Sequence, residues 1–217
     1  MHQADAKAFS AERIRQLVSG IPFFNEVRHR DLAQFEALLG QCELWVAGPG
    51  DTVIQRGQDE PFLYFLLRGQ LVVTGHSGVT AEVLNYISPG EVFGALAMLR
   101  GTPRSATVRV DDSTREAVLA RLDYAPFQDL QQRGRFDLQT RLAFYSMLVH
   151  NIRWTLEVYR MSDPQHEVAA AMRKLPLYSG PRGTEQELLA LHEQAHALAD
   201  LLCQWHQVPL RATPQHL

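Results

Sequence analysis

The spacing of apolar residues changes along the chain, and each change predicts a different kind of element. Residues 10–40 carry apolar positions at helical spacing. From Leu44 to about Leu122 the pattern shortens into β-rich runs broken by Gly, Pro and Asp. Many short strands at regular spacing favour a β-sandwich or jelly roll. The predicted strands are 52–54, 62–67, 71–74, 83–87, 107–110 and 117–122.

A long helix is predicted from about Phe136 to Met161. Its apolar residues alternate at intervals of 4 and 3, a seam typical of a two-helix interface. We therefore expect a homodimer, although a helix packed on its own domain shows the same stripe. Phe144, Leu148 and Trp154 lie off the seam and are expected to pack on the barrel. The seam residues are Leu138, Leu142, Tyr145, Val149, Ile152, Leu156 and Tyr159.

A helical appendage is predicted after the long helix. Asp163-Pro164 interrupts the helical pattern, and residues 168–175 predict a short helix. Thr184 and Glu187 form a predicted capping box that opens a helix running to about Trp205. We divide the chain into a β-barrel domain with a helical lead-in (10–134), a dimerisation helix (135–162) and an appendage (163–217).

Composition is that of an ordinary soluble globular protein, with 46 % hydrophobic and 21 % charged residues. No apolar run approaches the ~18 residues of a membrane-spanning helix. Residues 1–15 lack the apolar stretch of a signal peptide, and two cysteines make no disulfide framework. We expect a cytoplasmic protein without membrane contact, and its net charge of −3 gives no global attraction to nucleic acid.

The segment 89–107 carries the chemistry. Gly94 and Ala95 open a short helical run whose first backbone N–H groups favour an anion. Arg104 supplies a planar guanidinium that suits a phosphate, and the Ser105 hydroxyl can donate beside it. The segment therefore predicts a site for a single phosphate.

These residues resemble the phosphate-binding cassette of cyclic nucleotide-binding domains, the effector domains of catabolite activator protein-like regulators and protein kinase A regulatory subunits. The cassette is usually written Phe-Gly-Glu-Leu-Ala, then Pro-Arg-Ser-Ala-Thr-Val. The chain has Phe93-Gly94-Ala95-Leu96-Ala97 and Pro103-Arg104-Ser105-Ala106-Thr107-Val108. The resemblance covers roughly residues 11–160 and implies an α+β, mainly β, jelly-roll barrel. It also implies N-terminal helices, a long dimerisation helix and, in bacterial members, dimerisation through that helix.

The resemblance also implies a ligand and its contacts. Arg153 or Thr155 of the long helix is expected to reach the base. The family's glutamate, which binds the ribose 2′-hydroxyl, is Ala95 here. The residues expected to bind the ligand through the cassette are Phe93, Gly94, Ala95, Leu96, Ala97, Arg104, Ser105 and Ala106.

The departure at Ala95 leaves three hypotheses open. The chain binds cAMP or cGMP with weakened affinity, or it binds another anion such as cyclic di-GMP in an enlarged pocket. In the third hypothesis it binds no nucleotide and serves as a dimeric scaffold. Arg104 would then form a structural ion pair with Glu91 or Glu82.

DNA binding is disfavoured. Transcription regulators of this family place a helix-turn-helix after the dimer helix, but residues 191–205 continue without Gly or Pro. Residues 163–217 hold four Arg plus Lys against six acids, whereas a DNA reader needs positive charge. A transcription regulator with a divergent DNA-binding region stays the alternative.

The residues His192-Glu193-Gln194-Ala195-His196 match the zinc-protease pattern His-Glu-x-x-His. The extended form of this zinc motif needs a glycine and a third histidine, and the residues at those positions are Ala199 and Leu202. A downstream glutamate ligand is also missing, because no Glu follows Glu193. We expect neither catalysis nor a metal centre. The role of the helical stripe His192, His196, Cys203 and His206 is left open.

The sequence favours a non-enzymatic bacterial sensor with no resident cofactor. Ligand occupancy is expected to reposition the long helix and to present the tail to a protein partner.

Overall fold

The structure, a computed structural model, describes residues 1–3, 11–77, 80–130 and 134–207. Within these ranges, helices at both ends of the chain enclose a β-rich middle. The helices are α1 Ala11–Val18, α2 Pro22–Arg30, α3 Leu32–Leu39, α4 Ala95–Arg100, α5 Ala125–Gln128, α6 Leu138–Ser162, α7 Glu167–Arg173 and α8 Glu185–Gln207. The strands are β1 His2–Gln3, β2 Cys42–Ala47, β3 Thr52–Ile54, β4 Phe62–Arg68, β5 Leu71–Ser77, β6 Thr80–Ile87, β7 Val92–Phe93, β8 Thr107–Val110 and β9 Ala117–Asp123.

The described strands pair antiparallel in two sheets of order β1-β2-β9-β4-β7 and β3-β8-β5-β6. Most neighbours in each sheet are not consecutive strands, as in a jelly roll, whereas β5 and β6 form a hairpin. The predicted α+β, mainly β, jelly-roll fold with N-terminal helices and a long helix is confirmed.

Strand β4 explains why the barrel has two cores. Successive side chains of a strand point to opposite faces. Leu63 and Phe65 join a core shared with the helices, whereas Tyr64 and Leu66 join the core between the sheets. All four side chains are fully buried, so this strand is apolar throughout rather than alternating.

The seam of α6 faces α8 of the same chain. Helix α8 packs along α6, and the inner seam residues are buried without a second chain. Leu138 and Tyr159, at the two ends, are partly buried against the same core. The assignment of this seam to a homodimer is therefore corrected, because a heptad pattern reports a partner helix but not its chain. The buried seam residues are Leu142, Tyr145, Val149, Ile152 and Leu156.

The three residues that lie off the seam do not share one environment. Phe144 and Leu148 are fully buried, with the Phe144 ring centroid 3.8 Å from that of Phe127. Trp154 does not pack on the barrel, since 65 % of it is exposed. It forms an exposed row on α6 with Val158 and Met161, which we call the outer stripe.

Helix α8 begins with the predicted capping box. The Glu187 backbone N–H donates to Thr184 Oγ1 at 3.2 Å, and the Glu187 carboxylate accepts from the Gly183 N–H at 2.6 Å. Helix α8 shares the core of α6 and the lead-in helices. The predicted boundaries at 134/135 and 162/163 lie near the ends of α6, but the appendage packs on the rest of the chain.

We expect the α6–α8 contact to stabilise the whole fold. Leu198 on α8 is fully buried, so Leu198→Ala should lower the free energy of unfolding by about 2–5 kcal/mol. Leu189 on the same helix is 52 % exposed, and Leu189→Ala should change it by less than about 0.5 kcal/mol. Urea unfolding followed by circular dichroism measures both, and equal values would show that α8 contributes little to the core.

Candidate functional site

A cavity of about 150 Å³ lies between the cassette, the sheet containing β5 and β8, and helices α6 and α8. All eight predicted cassette residues line it, and so does Thr155 of α6. Arg153 is not among the lining residues. The fold thus brings residues 93–97 and 104–106 together around one space, as their order in the sequence suggested.

Gly94 shapes the turn at the entrance to α4. Its φ of +87° lies in the left-handed region, which favours glycine. A Cβ at this position would stand 2.9 Å from Arg104 Nη1 and 3.4 Å from the Phe62 carbonyl oxygen. Glycine is therefore required both by the backbone angle and by the close approach of the arginine.

Arg104 is buried and held by backbone. Its Nη1 donates to the Gly94 carbonyl and its Nη2 to the Phe62 carbonyl, both at 2.6 Å. Its Nε atom is buried without a hydrogen-bond partner. The hypothesised ion pair with Glu91 is absent, since that carboxylate instead accepts from the Ser88 N–H at 3.3 Å. The side chain of Glu82 lies outside the described residues.

The charge of Arg104 is poorly compensated. Among the described residues, no carboxylate lies within ion-pair distance of its guanidinium. Burial lowers its pKa, while Tyr64, Glu60 and Asp59 partly oppose that shift. An arginine nevertheless keeps its charge at neutral pH. A buried cation whose hydrogen-bond partners are neutral carbonyls is only partly compensated, so the site favours an anion.

The family model described as "Cyclic nucleotide-binding domain" matches residues 44–133, a segment that contains most of β2, strands β3 to β9 and the cassette. This segment is therefore similar to cyclic nucleotide-binding domains. The match ends before α6, so α6, α7 and α8 lie outside it.

Two curated relatives are similar to part of this chain. A cyclic nucleotide-gated cation channel protein from Drosophila melanogaster is 36 % identical over 80 residues, which are 34 % of this chain and 12 % of the channel protein. The neuropathy target esterase sws of Drosophila persimilis is 32 % identical over 99 residues, which are 42 % of this chain and 7 % of the esterase. The matched part is therefore a small fraction of each relative.

Solved structures share the fold at low identity. The cAMP-bound PfPKA-R aligns with a TM-score of 0.53 at 16 % identity, covering 73 % of this chain and 49 % of that one. PKAR CBD2 bound to Sp-2Cl-cAMPS aligns with a TM-score of 0.51 at 16 % identity, covering 70 % of this chain and 90 % of that one. A putative cyclic nucleotide binding protein from Ruegeria pomeroyi aligns with a TM-score of 0.51 at 14 % identity, covering 73 % of this chain and 66 % of that one.

The remaining walls of the cavity include residues that the sequence analysis missed. Asn151 lies one helical turn before Thr155, and the Thr155 hydroxyl donates to its carbonyl at 3.1 Å. Helical spacing from Thr155 was enough to find it. Asn85 comes from β6 and Leu202 from α8, and no local sequence signal marks either. The apolar part of the wall is formed by Ile54, Val73, Ile87, Val108, Ile152 and Tyr159.

Ala95 is 4 % exposed and faces the cavity without a polar side chain. Arg104, by contrast, still places N–H donors at the cavity. The position at which the family has an acceptor for the ribose hydroxyl carries only a methyl group.

The two histidines of the motif on α8 lie side by side. The Nε2 atoms of His192 and His196 are 3.1 Å apart, and burial lowers the pKa of both. Within residues 1–3, 11–77, 80–130 and 134–207, no group of three or more His, Cys, Asp or Glu is placed to hold a metal ion. Cys203 lies beside Arg100, and the side chain of His206 falls outside the described part.

None of the helices in the described ranges combines the length and apolar character that crossing a lipid bilayer requires.

We expect Gly94→Ala to be costly for two reasons. A left-handed alanine costs roughly 1–2 kcal/mol in any position, and here its Cβ also displaces Arg104. Gly57 is the matched control, because its φ is +85° but nothing lies within 4 Å of the added Cβ. Thermal unfolding should show Gly94→Ala to be the less stable variant by at least about 1 kcal/mol. Equal losses would mean that the arginine is not tightly placed.

Proposed function

We propose that this protein is a non-enzymatic sensor of a small cyclic phosphodiester. The observation that carries the proposal is the buried Arg104 guanidinium, which lies at the cassette cavity with neutral carbonyls as its partners. A ligand phosphate placed beside it supplies the missing negative charge. Such charge-assisted contacts are stronger than hydrogen bonds between neutral groups.

The backbone at the start of α4 supports the same placement. The first N–H groups of a helix have no partner within it, and those of α4 begin at Ala95, beside the cavity. Arg104 and this backbone approach the cavity from two segments. Together they favour a ligand with a single phosphate at this end.

The missing acceptor at Ala95 weakens the contact with a ribose. Losing a charged acceptor for a buried hydroxyl costs about 1.5–3 kcal/mol, or roughly ten- to a hundredfold in affinity. A cyclic mononucleotide such as cAMP or cGMP carries the single phosphate that this end of the cavity favours. A dimeric scaffold that binds no nucleotide is the alternative if no ligand is found.

Signalling is proposed to pass through α6. Ile152, Thr155 and Tyr159 of this helix line the cavity, so a ligand would contact it directly. A ligand that prefers one position of α6 shifts the population toward that position. The chain would then change the surface it offers to a protein partner.

The absence of catalysis is part of the proposal. Among the described residues that line the cavity there is no His or Cys, and Ser105 is exposed. One relative is an esterase by name, but only 7 % of that protein is matched.

Dimerisation is proposed through the outer stripe, because the predicted seam is covered by α8. Trp154, Val158 and Met161 repeat at intervals of 4 and 3 and are exposed. An exposed apolar row of this kind is unusual on a surface that has no partner.

Titration calorimetry with cAMP, cGMP and cyclic di-GMP tests the ligand. We expect a cyclic mononucleotide to bind and Arg104→Gln to weaken it by about a hundredfold or more, through loss of the charge-assisted contacts. Arg56→Gln is the control, because Arg56 is exposed and does not line the cavity. Ala95→Glu should strengthen binding by roughly ten- to a hundredfold. If none of the three nucleotides gives a heat of binding, the dimeric scaffold becomes the better assignment.

Light scattering after size exclusion tests the outer stripe. Wild type should have twice the monomer mass, and Trp154→Ser should shift it toward the monomer through loss of the largest apolar contact. Gln186→Ser, at an exposed position of α8, should leave the mass unchanged. A monomeric wild type would remove this interface.

A further inference from the structure

Helix α8 contributes to the ligand site although it lies far beyond the family match. The match ends at residue 133, whereas α8 spans Glu185–Gln207. Its Leu202 lines the cavity and is 5 % exposed. The site is therefore closed in part by a helix that lies outside the matched family domain.

Two contacts place this end of α8. Arg100 at the end of α4 binds the Asp200 carboxylate, with Nε 2.9 Å from Oδ1. Cys203 is buried beside the same guanidinium. Arg100 lies one helical turn from Leu96 and Ala97, which line the cavity. Helix α8 thus rests on α4, which begins the cassette, as well as on α6.

The site is small and partly open to solvent. Its volume is about 150 Å³, whereas pockets for small organic ligands usually measure roughly 300–1,000 Å³. The sheet and the backbone of the cassette are fixed by strand pairing and by the bonds to Arg104. The wall formed by α6 and α8 is held by side-chain packing, so it is the part that can move outward.

We propose that α8 gates the ligand site: while it is docked, Leu202 restricts the cavity, and a nucleotide binds only as α8 shifts outward. The proposal rests on the function proposed above. Ligand binding and docking of α8 then oppose each other, and thermodynamic reciprocity requires that each weaken the other. A ligand would release α8 from α4, which makes α8 the element that reports occupancy to a partner.

Affinity measurements on the full chain test this opposition. Leu202→Ala should tighten cAMP binding by about tenfold, because docking no longer fills the cavity. Asp200→Asn should tighten it by about two- to fivefold, since the ion pair with Arg100 is largely exposed and weak. Leu189→Ala, exposed on the same helix, is the control and should change nothing. Unchanged or weaker binding in both test variants overturns the gate.

Hydrogen–deuterium exchange separates the gate from the identity of the ligand. Without nucleotide, Asp200→Asn should speed exchange of residues 95–100 and 198–207 together, compared with wild type and Leu189→Ala. With saturating cAMP, wild type should exchange faster in α8. If no nucleotide binds to any variant, the proposed function fails while the ligand-free exchange still tests the gate. The gate is contradicted if Asp200→Asn leaves the exchange of residues 95–100 unchanged. It is also contradicted if α8 is more protected from exchange when cAMP is bound.

Discussion

The buried guanidinium of Arg104 joins the cassette to strand β4. Its two hydrogen bonds reach the turn before α4, at Gly94, and strand β4, at Phe62. Its own backbone N–H donates to the Gln58 carbonyl, and its carbonyl accepts from the Gly57 N–H. The arginine is thus fixed at both its backbone and its side chain. The cavity, the glycine turn and the uncompensated charge all depend on this position.

Apolar packing by the two long helices, α6 and α8, helps to stabilise a domain that buries the charged Arg104. Burying a cation without a counter-ion is unfavourable, so the surrounding apolar contacts must exceed that cost. The aromatic rings of Phe127 and Phe144 and the α6–α8 interface supply much of this apolar burial. Because α8 contacts both α6 and α4, the tail contributes to stability and to the site through one surface. The packing of α8 and the shape of the cavity are therefore linked in this chain.

The sequence located the cassette well but not the complete cavity. The segments 93–97 and 104–106 lie close together along the chain, so their shared role followed from order and spacing. Asn85 and Leu202 are more than a hundred residues apart, and their meeting depends on how β6 and α8 pack. Arg153 was assigned from register along α6, and a rotation of one or two residues decides whether a side chain reaches the cavity.

Local sequence was enough to predict six of the nine described strands, the two long helices and the start of α8, and it indicated anion-binding chemistry in the cassette. Each of these depends on local spacing, backbone preference or residue type, and these are fully present in a short segment. The helix that covers the α6 seam was decided by tertiary packing, because the same apolar stripe satisfies a partner from either chain. Tertiary packing also decided that Arg104 has carbonyls rather than Glu91 as partners, and that α8 reaches the cavity. Those outcomes depend on contacts between distant segments, which periodicity along one segment does not contain.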